Sequence, residues 1–521
     1  MLQHVIAIAG IVISLAAADE PLLQAADAED YNNGKYGERP TQSFLSSDLL
    51  APRVLVNSWN QSLCSPESHL FVTLSLAKGH RAPAILSAKD LSLVWTDPQW
   101  IGGEDVRPQQ YNGSTYLTFT ANPHNESFIG GYGVLLDDHY DVFSLVQPDG
   151  LAGGADAHEF KVTDDGTVLM TQKHQIVTDC SAAGGPAEGC ELMEGGFQEV
   201  NLATGKQKFT WLATEHVAFT EPCRPYGGGT QGFGRGWDFF HINAVSKTKT
   251  GDYIVNARHL CALMLVNGTS GEPIWQLGGK SNTFRDLSGG RATEFFGQHD
   301  ARFANEDETE IIMFDNHLIG NEKQVQVHSP GCTEDCSRVR RIRLNYEEMT
   351  AELVYEWYHP LSVQARAKGG SQLLSGGGAL VSWGVVPSIT EFLHDGQLCM
   401  DIQFGPWSNS VSGKDGLYRA YKFDYKATPA WDPSIAVVSD KIYVSWNGAT
   451  EVDTWVLFGG MTEAQMTEMA IFPKRGFETE YTNDNSLPLF VRVEARDVHG
   501  NTLRSTRTVI TTPIIRSLRR H

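Results

Sequence analysis

Three stretches of the chain pair a histidine with a second polar group across two apolar runs. Ala155-Asp-Ala-His158 leads through Thr167-Val-Leu-Met-Thr to His174, and Phe240-His241-Ile-Asn-Ala leads through Tyr253-Ile-Val-Asn-Ala to Arg258 and His259. Gln298-His299-Asp-Ala-Arg leads through Ile311-Ile-Met-Phe-Asp to Asn316 and His317. In each copy the second histidine follows the first by 16 to 18 residues. Imidazoles change charge near neutral pH, and they can move protons or attack an electrophile. A guanidinium beside them offers donors to an anion or a polarised carbonyl. A polar residue recurring at one place in a repeat points into one shared space. His299, His241, Arg258 and His158 are therefore the catalytic candidates, with His174, His259, Asn316 and His317 as substrate contacts. The bland alternative is a set of mutually satisfied polar plugs; three histidines in register beside an arginine favour function.

The elements that must position these groups are strands. From about Asn60 to Lys426 short apolar or alternating runs are broken by Gly, Asp and Asn, with hardly any helical period. A fourth copy, Gly370-Ser-Gln-Leu-Leu-Ser-Gly-Gly-Gly-Ala-Leu-Val-Ser-Trp, keeps the two-strand shape without a histidine. First histidines 83 and 58 residues apart suit four-stranded blades, and the length of the region divides into six. The expectation is an all-β chain: signal peptide 1–18, N-terminal segment 19–59, six-bladed β-propeller 60–426, β-sandwich of the fibronectin III or immunoglobulin kind 431–510, and tail 511–521. Gly227-Gly-Gly-Thr-Gln-Gly-Phe-Gly-Arg-Gly236 reads as a loop over the mouth of the axial site, with Phe233, Arg235 and Trp237 as substrate contacts.

Composition sets the compartment. A formal charge of −21 across 521 residues, with no basic face before the C-terminus, argues against nucleic acid. The apolar run from Val5 to Ala18 ends in small residues, as a secretory signal does, and no later window approaches a membrane span. The mature chain is expected to be secreted and off the membrane. Sequons at Asn60, Asn112, Asn125 and Asn267 agree with export. So do eight cysteines, of which Cys180 with Cys190, and Cys332 with Cys336, bracket short loops that suit local disulfides. Without a CxxC pair, zinc is not expected. GxSxG, HExxH and an intact P-loop are absent, since Ile274 stands where the first P-loop glycine belongs.

Phe240-His241-Ile-Asn-Ala, Asn256-Ala-Arg258-His259, Trp275-Gln-Leu-Gly-Gly, Gln298-His299-Asp-Ala-Arg302 and Phe314-Asp-Asn-His317 together resemble the arylsulfotransferase family in its fungal, secreted branch. The resemblance covers most of residues 45 to 425. It implies a propeller enzyme with a small aromatic, phenolic or terpenoid substrate on its axis, and neither metal nor nucleotide cofactor. Bacterial members pass a sulfuryl group between phenols through a transiently sulfated histidine; motif matching gives that role to His299, and the stabilising roles to His158, His241 and Arg258. Some fungal relatives instead join an ortho-quinone methide of the tropolone type to a terpene by hetero-Diels–Alder cycloaddition. The export signal, the sequons and a sandwich that follows the propeller lean towards the latter. Sulfotransfer is the alternative, and a non-catalytic ligand-binding propeller the third reading.

Overall fold

The computed structural model describes residues 18–76, 81–121, 131–151, 154–227, 236–318, 331–333, 336–412, 416–483 and 486–511. The N-terminal run up to Ala17, Phe233, Arg235, Asn125 and the tail beyond Thr511 lie outside them.

Six sheets of at least four strands stand around one axis. Blade two is Glu104–Tyr111, Ser114–Ala121, Tyr132–Leu136 and Val142–Val146. Blade three is Ala155–Val162, Thr167–Thr178, Cys190–Asn201 and Gln207–Leu212. Blade four is Ile242–Lys247, Tyr253–Ala257, Ala262–Val266 and Pro273–Gly278. Blade five is His299–Phe303, Glu310–Asp315, Arg338–Asn345 and Thr350–Tyr358. Blade six is Gly370–Leu373, Ala379–Ser382, Ser388–Phe392 and Leu398–Gln403. Blade one takes its inner strand, Tyr421–Phe423, from the far end of the propeller and pairs it antiparallel with His69–Ser75, followed by Arg81–Ser87 and Leu93–Thr96. That pairing closes the ring, and each inner strand lies against the next. The 19–59 segment is part of the propeller, because Leu55–Trp59 and Leu23–Gln24 extend blade six outward.

The near-continuous apolar runs follow from this arrangement, since a blade buries both faces. Separate apolar cores fill all six spaces between neighbouring blades; Phe197, Trp211 and Tyr253 join blades three and four, and Phe314, Val381 and Trp383 join five and six. Burying each such side chain contributes about 1.5–3 kcal/mol. Four disulfides staple the chain: Cys180–Cys190 and Cys332–Cys336 as expected, Cys223–Cys261 within the site region, and Cys64–Cys399 between blade six and the segment entering blade one.

Residues 434–510 form a sandwich of two sheets, Ser434–Val438, Lys441–Ser445 and Glu478–Thr482 facing Thr454–Gly460, Thr467–Pro473, Phe490–Arg496, Thr502–Ser505 and Val509–Ile510 around Trp455, Val444 and Val493. It docks on the outer side of blades one and two. Tyr140 stacks on Trp95 at 5.0 Å and donates to the Gly448 carbonyl at 2.9 Å. Gly448 has φ +97°, and a Cβ there would sit 2.5 Å from the Tyr140 ring, so only glycine fits.

Candidate active site

Four of the six inner strands share one irregularity. Register breaks fall between Glu104 and Arg107, Ala155 and Phe160, Ile242 and Ala244, and His299 and Arg302. A bulge re-aims a side chain. In blades three, four and five it falls at the start of the inner strand, within or beside which His158, His241 and His299 sit; His241 itself has φ +51°. The His158 and His241 rings meet at 5.4 Å, His241 and His259 at 4.6 Å, and His158 and Tyr418 at 5.6 Å.

Each imidazole is fixed through Nδ1. The Asn316 amide donates to the carbonyls of Ala365 at 2.8 Å and Lys368 at 3.0 Å, so its Oδ1 faces His299 Nδ1 at 2.6 Å. That oxygen only accepts, so His299 carries its proton on Nδ1 and leaves Nε2 as a lone pair. Burial first, and then the Arg258 charge, hold this imidazole well below its ordinary pKa, hence neutral. His158 Nδ1 donates to the Asp156 carboxylate, and His241 Nδ1 to Asp238 at 2.5 Å. Burial lowers the pKa of both, aided by the Lys173 charge and opposed by their carboxylates. His259 Nδ1 donates to the Asp238 carbonyl and its Nε2 accepts from Arg258 Nη1 at 2.8 Å; burial brings it down to about 4.

Arg258 and His259 occupy a single 3-10 turn after Tyr253–Ala257. Three contacts fasten it. Arg258 Nη2 donates to the Arg366 carbonyl at 3.1 Å, the Cys223 N–H donates to the His259 carbonyl at 3.0 Å, and the Cys223–Cys261 bond closes the turn. Asp238, His241 and His259 bring one donor atom each within 4.8 Å of one another, the spacing of a metal site. Protein cations already serve them: Lys173 Nζ lies 3.8 Å from Asp238 Oδ2, and Arg258 donates to His259.

Beneath the imidazoles lies a buried ionic layer to which all six blades contribute. Arg419 meets Asp105 at 2.8 Å, Arg107 meets Asp105 at 2.9 Å and Glu159 at 2.8 Å, and Arg302 meets Glu159 at 2.5 Å and Asp300 at 2.8 Å. Arg419 also donates to the Asn243 carbonyl of blade four at 2.9 Å, and the Ser371 N–H of blade six donates to Asp300 at 3.2 Å. Burial would raise the Glu159 carboxyl, but Arg302, Arg419 and Arg107 outweigh it and hold it far below the carboxylate range. Three guanidinium groups balance three carboxylates, so the floor of the site is fixed and carries little net charge.

Several expected contacts fall elsewhere. Trp237 is 3% exposed and packs against Phe219, Tyr226 and Phe239, so it is a core residue rather than a substrate contact. His174 is half-buried with Nδ1 3.0 Å from Gln172 Oε1; strand alternation turns it away from the face on which Lys173 reaches the histidine pairs. His317 belongs to an ion cluster with Asp315, Arg338 and Arg340 beside Phe296, leaving Asn316 as the member of its pair that touches His299. Asp156, Asp238, Lys173 and Tyr418 were not anticipated. The two aspartates had a legible signal, an acid two or three residues before each histidine. Asn60 and Asn112 are exposed and Asn267 is half-buried.

A family model described as arylsulfotransferase (ASST) matches residues 107–405, which is more than half of the chain. No curated protein matches the sequence. Similar solved structures include a protein of unknown function from Bacteroides caccae, 13% identical over 68% of this chain and 98% of its own, with a TM-score of 0.39. A protein from Lactobacillus plantarum is 12% identical over 85% and 99%, with a TM-score of 0.34. A GH43 protein from Bacillus licheniformis is 10% identical over 79% and 91%, with a TM-score of 0.31. Such scores add nothing to the strand pairing from which the six blades are read. The motifs on the inner strands and the match spanning blades two to six agree: the chain belongs to the arylsulfotransferase family, a family of transferases.

Proposed function

We propose that the protein moves a sulfuryl group from an aryl sulfate ester to a phenolic acceptor, with His299 Nε2 carrying the group between two half-reactions. The observation that carries this reading is the Asn316-fixed tautomer of a neutral, buried imidazole. In the first half-reaction Nε2 attacks sulfur, the N–S bond forming as the aryl O–S bond breaks. One of the two His–Asp pairs takes up a proton from solvent at Nε2 as the anionic ester binds, and the departing oxygen takes that proton. In the second, the acceptor hydroxyl gives its proton back to that nitrogen and its oxygen attacks sulfur, releasing His299 as it began. Arg258, and an imidazolium at His158 or His241, offset the charge on the sulfuryl oxygens.

Cycloaddition would use the same guanidinium as a hydrogen-bond donor to a quinone carbonyl, but it gives the fixed His299 tautomer no task. Family membership likewise supports transfer chemistry. We read the enzyme as secreted and glycosylated: four disulfides suit an oxidising compartment, and among the described residues no helix is long and apolar enough to cross a membrane. The test is steady-state kinetics with an aryl sulfate and a second phenol. Parallel double-reciprocal lines and loss of phenol release in His299→Ala support the proposal. Retained transfer in that variant overturns it. No transfer by the parent enzyme, with turnover of quinone methide and alkene pairs, gives the site to cycloaddition.

A further inference from the structure

Lys173 is a charged residue on the second strand of blade three, only 5% exposed, and it directly precedes His174 in the first repeat copy without being among the candidate site residues read from the sequence. Its Nζ stands 3.9 Å from Asp156 Oδ2 in its own blade and 3.8 Å from Asp238 Oδ2, which precedes the inner strand of blade four. Each carboxylate holds the Nδ1 proton of one imidazole, Asp156 for His158 and Asp238 for His241. One ammonium therefore sits behind two His–Asp pairs that come from different blades.

The local sequence explains how a lysine reaches there. Lys173 pairs directly with Gly195 on the neighbouring strand, and cross-strand partners share a face. A Cβ on Gly195 would lie 3.7 Å from Phe240 and Ile242, so the segment carrying Asp238 and His241 packs directly over that face. The bulge between Ala155 and Phe160 brings Asp156 alongside.

We propose that Lys173 is a positioning residue that ties the Asp156–His158 and Asp238–His241 pairs into one unit, fixing both carboxylates and so the direction and proton affinity of both Nε2 atoms. A single cation between two carboxylates lets neither turn away to seek another partner. It also makes a second positive charge on either imidazole costly, which suits a site that takes up a proton when a sulfate ester arrives and passes it on. The other groups acting on these pairs are His259 from the turn of blade four, on His241, and Arg419 from below, on His158. The Lys173 charge lowers both imidazoles, and removing it lets them protonate at higher pH.

The link to catalysis rests on the sulfotransfer reading; the link to the imidazoles does not. The experiment is therefore a pH titration of the histidine ring resonances in the full-length protein without ligand, for the parent, Lys173→Met and Lys173→Arg, with signals assigned through His158→Gln and His241→Gln. Loss of the charge should move both titrations upward by about one pH unit, with Arg restoring the parent values and His359, buried against Ser388 and Trp383, unmoved. The acid limb of the kcat/KM profile for aryl sulfate should move in the same direction. If the methionine variant fails to fold, Lys173→Gln carries the same expectation. Titrations that stay at parent values in a folded, uncharged variant overturn the proposal. Shifted titrations in a protein without transfer activity keep Lys173 in its role and remove the sulfotransfer reading instead.

Discussion

The His299–Asn316 contact is where sequence, geometry and chemistry meet most closely. An asparagine whose amide is committed to two backbone carbonyls dictates a tautomer, as a buried carboxylate does in a hydrolytic triad. Asn316→Leu should leave the fold in place but free the ring to hold its proton on either nitrogen. We expect kcat for sulfuryl transfer to fall by about a hundredfold or more, with a smaller effect on KM, in steady-state assays. A kcat near the parent value would mean that the tautomer is irrelevant. A second expectation concerns protons. Sulfuryl oxygens only accept hydrogen bonds, whereas His158 and His241 already donate from Nδ1 and are held neutral by burial. Binding of an aryl sulfate to His299→Ala should therefore take up about one proton at pH 7. Calorimetry in buffers of different ionisation enthalpy measures it, and binding enthalpies independent of the buffer would contradict it. The shared placement of His158, His241 and His299 at the start of three inner strands was legible because they recur in register; the position of Lys173 was not, because it depends on two carboxylates from separate blades.

Among the elements, the inner strands do two jobs, presenting imidazoles at their opening residues and ion partners just beyond. Blade six departs from the pattern for a physical reason. Where blades three, four and five carry a histidine, it has Gly370, and a Cβ there would lie 2.6 Å from Asp300 Oδ2 and 3.0 Å from Arg419 Cγ. Gly370→Ala should push into this layer and cost about 1–3 kcal/mol, seen as a lower urea midpoint at unchanged m-value. Stability equal to the parent would mean that the ionic layer is looser than its distances imply. A strand pattern read from the chain finds Gly370-Ser-Gln-Leu but not the carboxylate that forbids a side chain. Ser388 and Asp401 in the same blade, with His359 packed against them from the link between blades five and six, give a warning of the opposite kind. His359 Nδ1 accepts the Leu361 N–H at 3.0 Å, so Nε2 carries the proton towards Ser388 Oγ, and Asp401 lies beside that same nitrogen. Three residue types that suggest a nucleophile triad are wired the wrong way round for one.

For the molecule as a whole, ring closure and burial set the response to acid. His69 and His259 are lowered to about 4 and His359 to about 3, in each case chiefly by burial. The unfolded imidazoles protonate below about 6.5 while the folded ones do not, so the unfolded state binds more protons and stability declines as pH falls from 6.5 towards 3–4. Asp401, raised to about 6 by burial, acts in the opposite sense between its ordinary value and 6, as do Asp19 and Glu194, but His158, His241 and His299, likewise lowered by burial, add to the first sense. The melting temperature should be several degrees lower at pH 4.5 than at pH 7; an equal or higher value would show that these imidazoles are not buried neutral. The blade count and the C-terminal sandwich were legible from strand periodicity. The attachment of Leu23–Gln24 and Leu55–Trp59 to blade six was not, because outer strands carry no recurring polar residue to mark them. Nor was the Cys64–Cys399 bond, which joins residues 335 apart across the closure.

The central claim is that His299 takes the sulfuryl group. Its most direct test is the intact mass of the enzyme quenched during turnover of an aryl sulfate without acceptor, followed by peptide mapping, for the parent and His299→Ala. A gain of one SO₃ group is expected on the peptide carrying His299, discharged by added phenol and absent from the variant. An unchanged mass while phenol is being released, or the same gain in the variant, would contradict it.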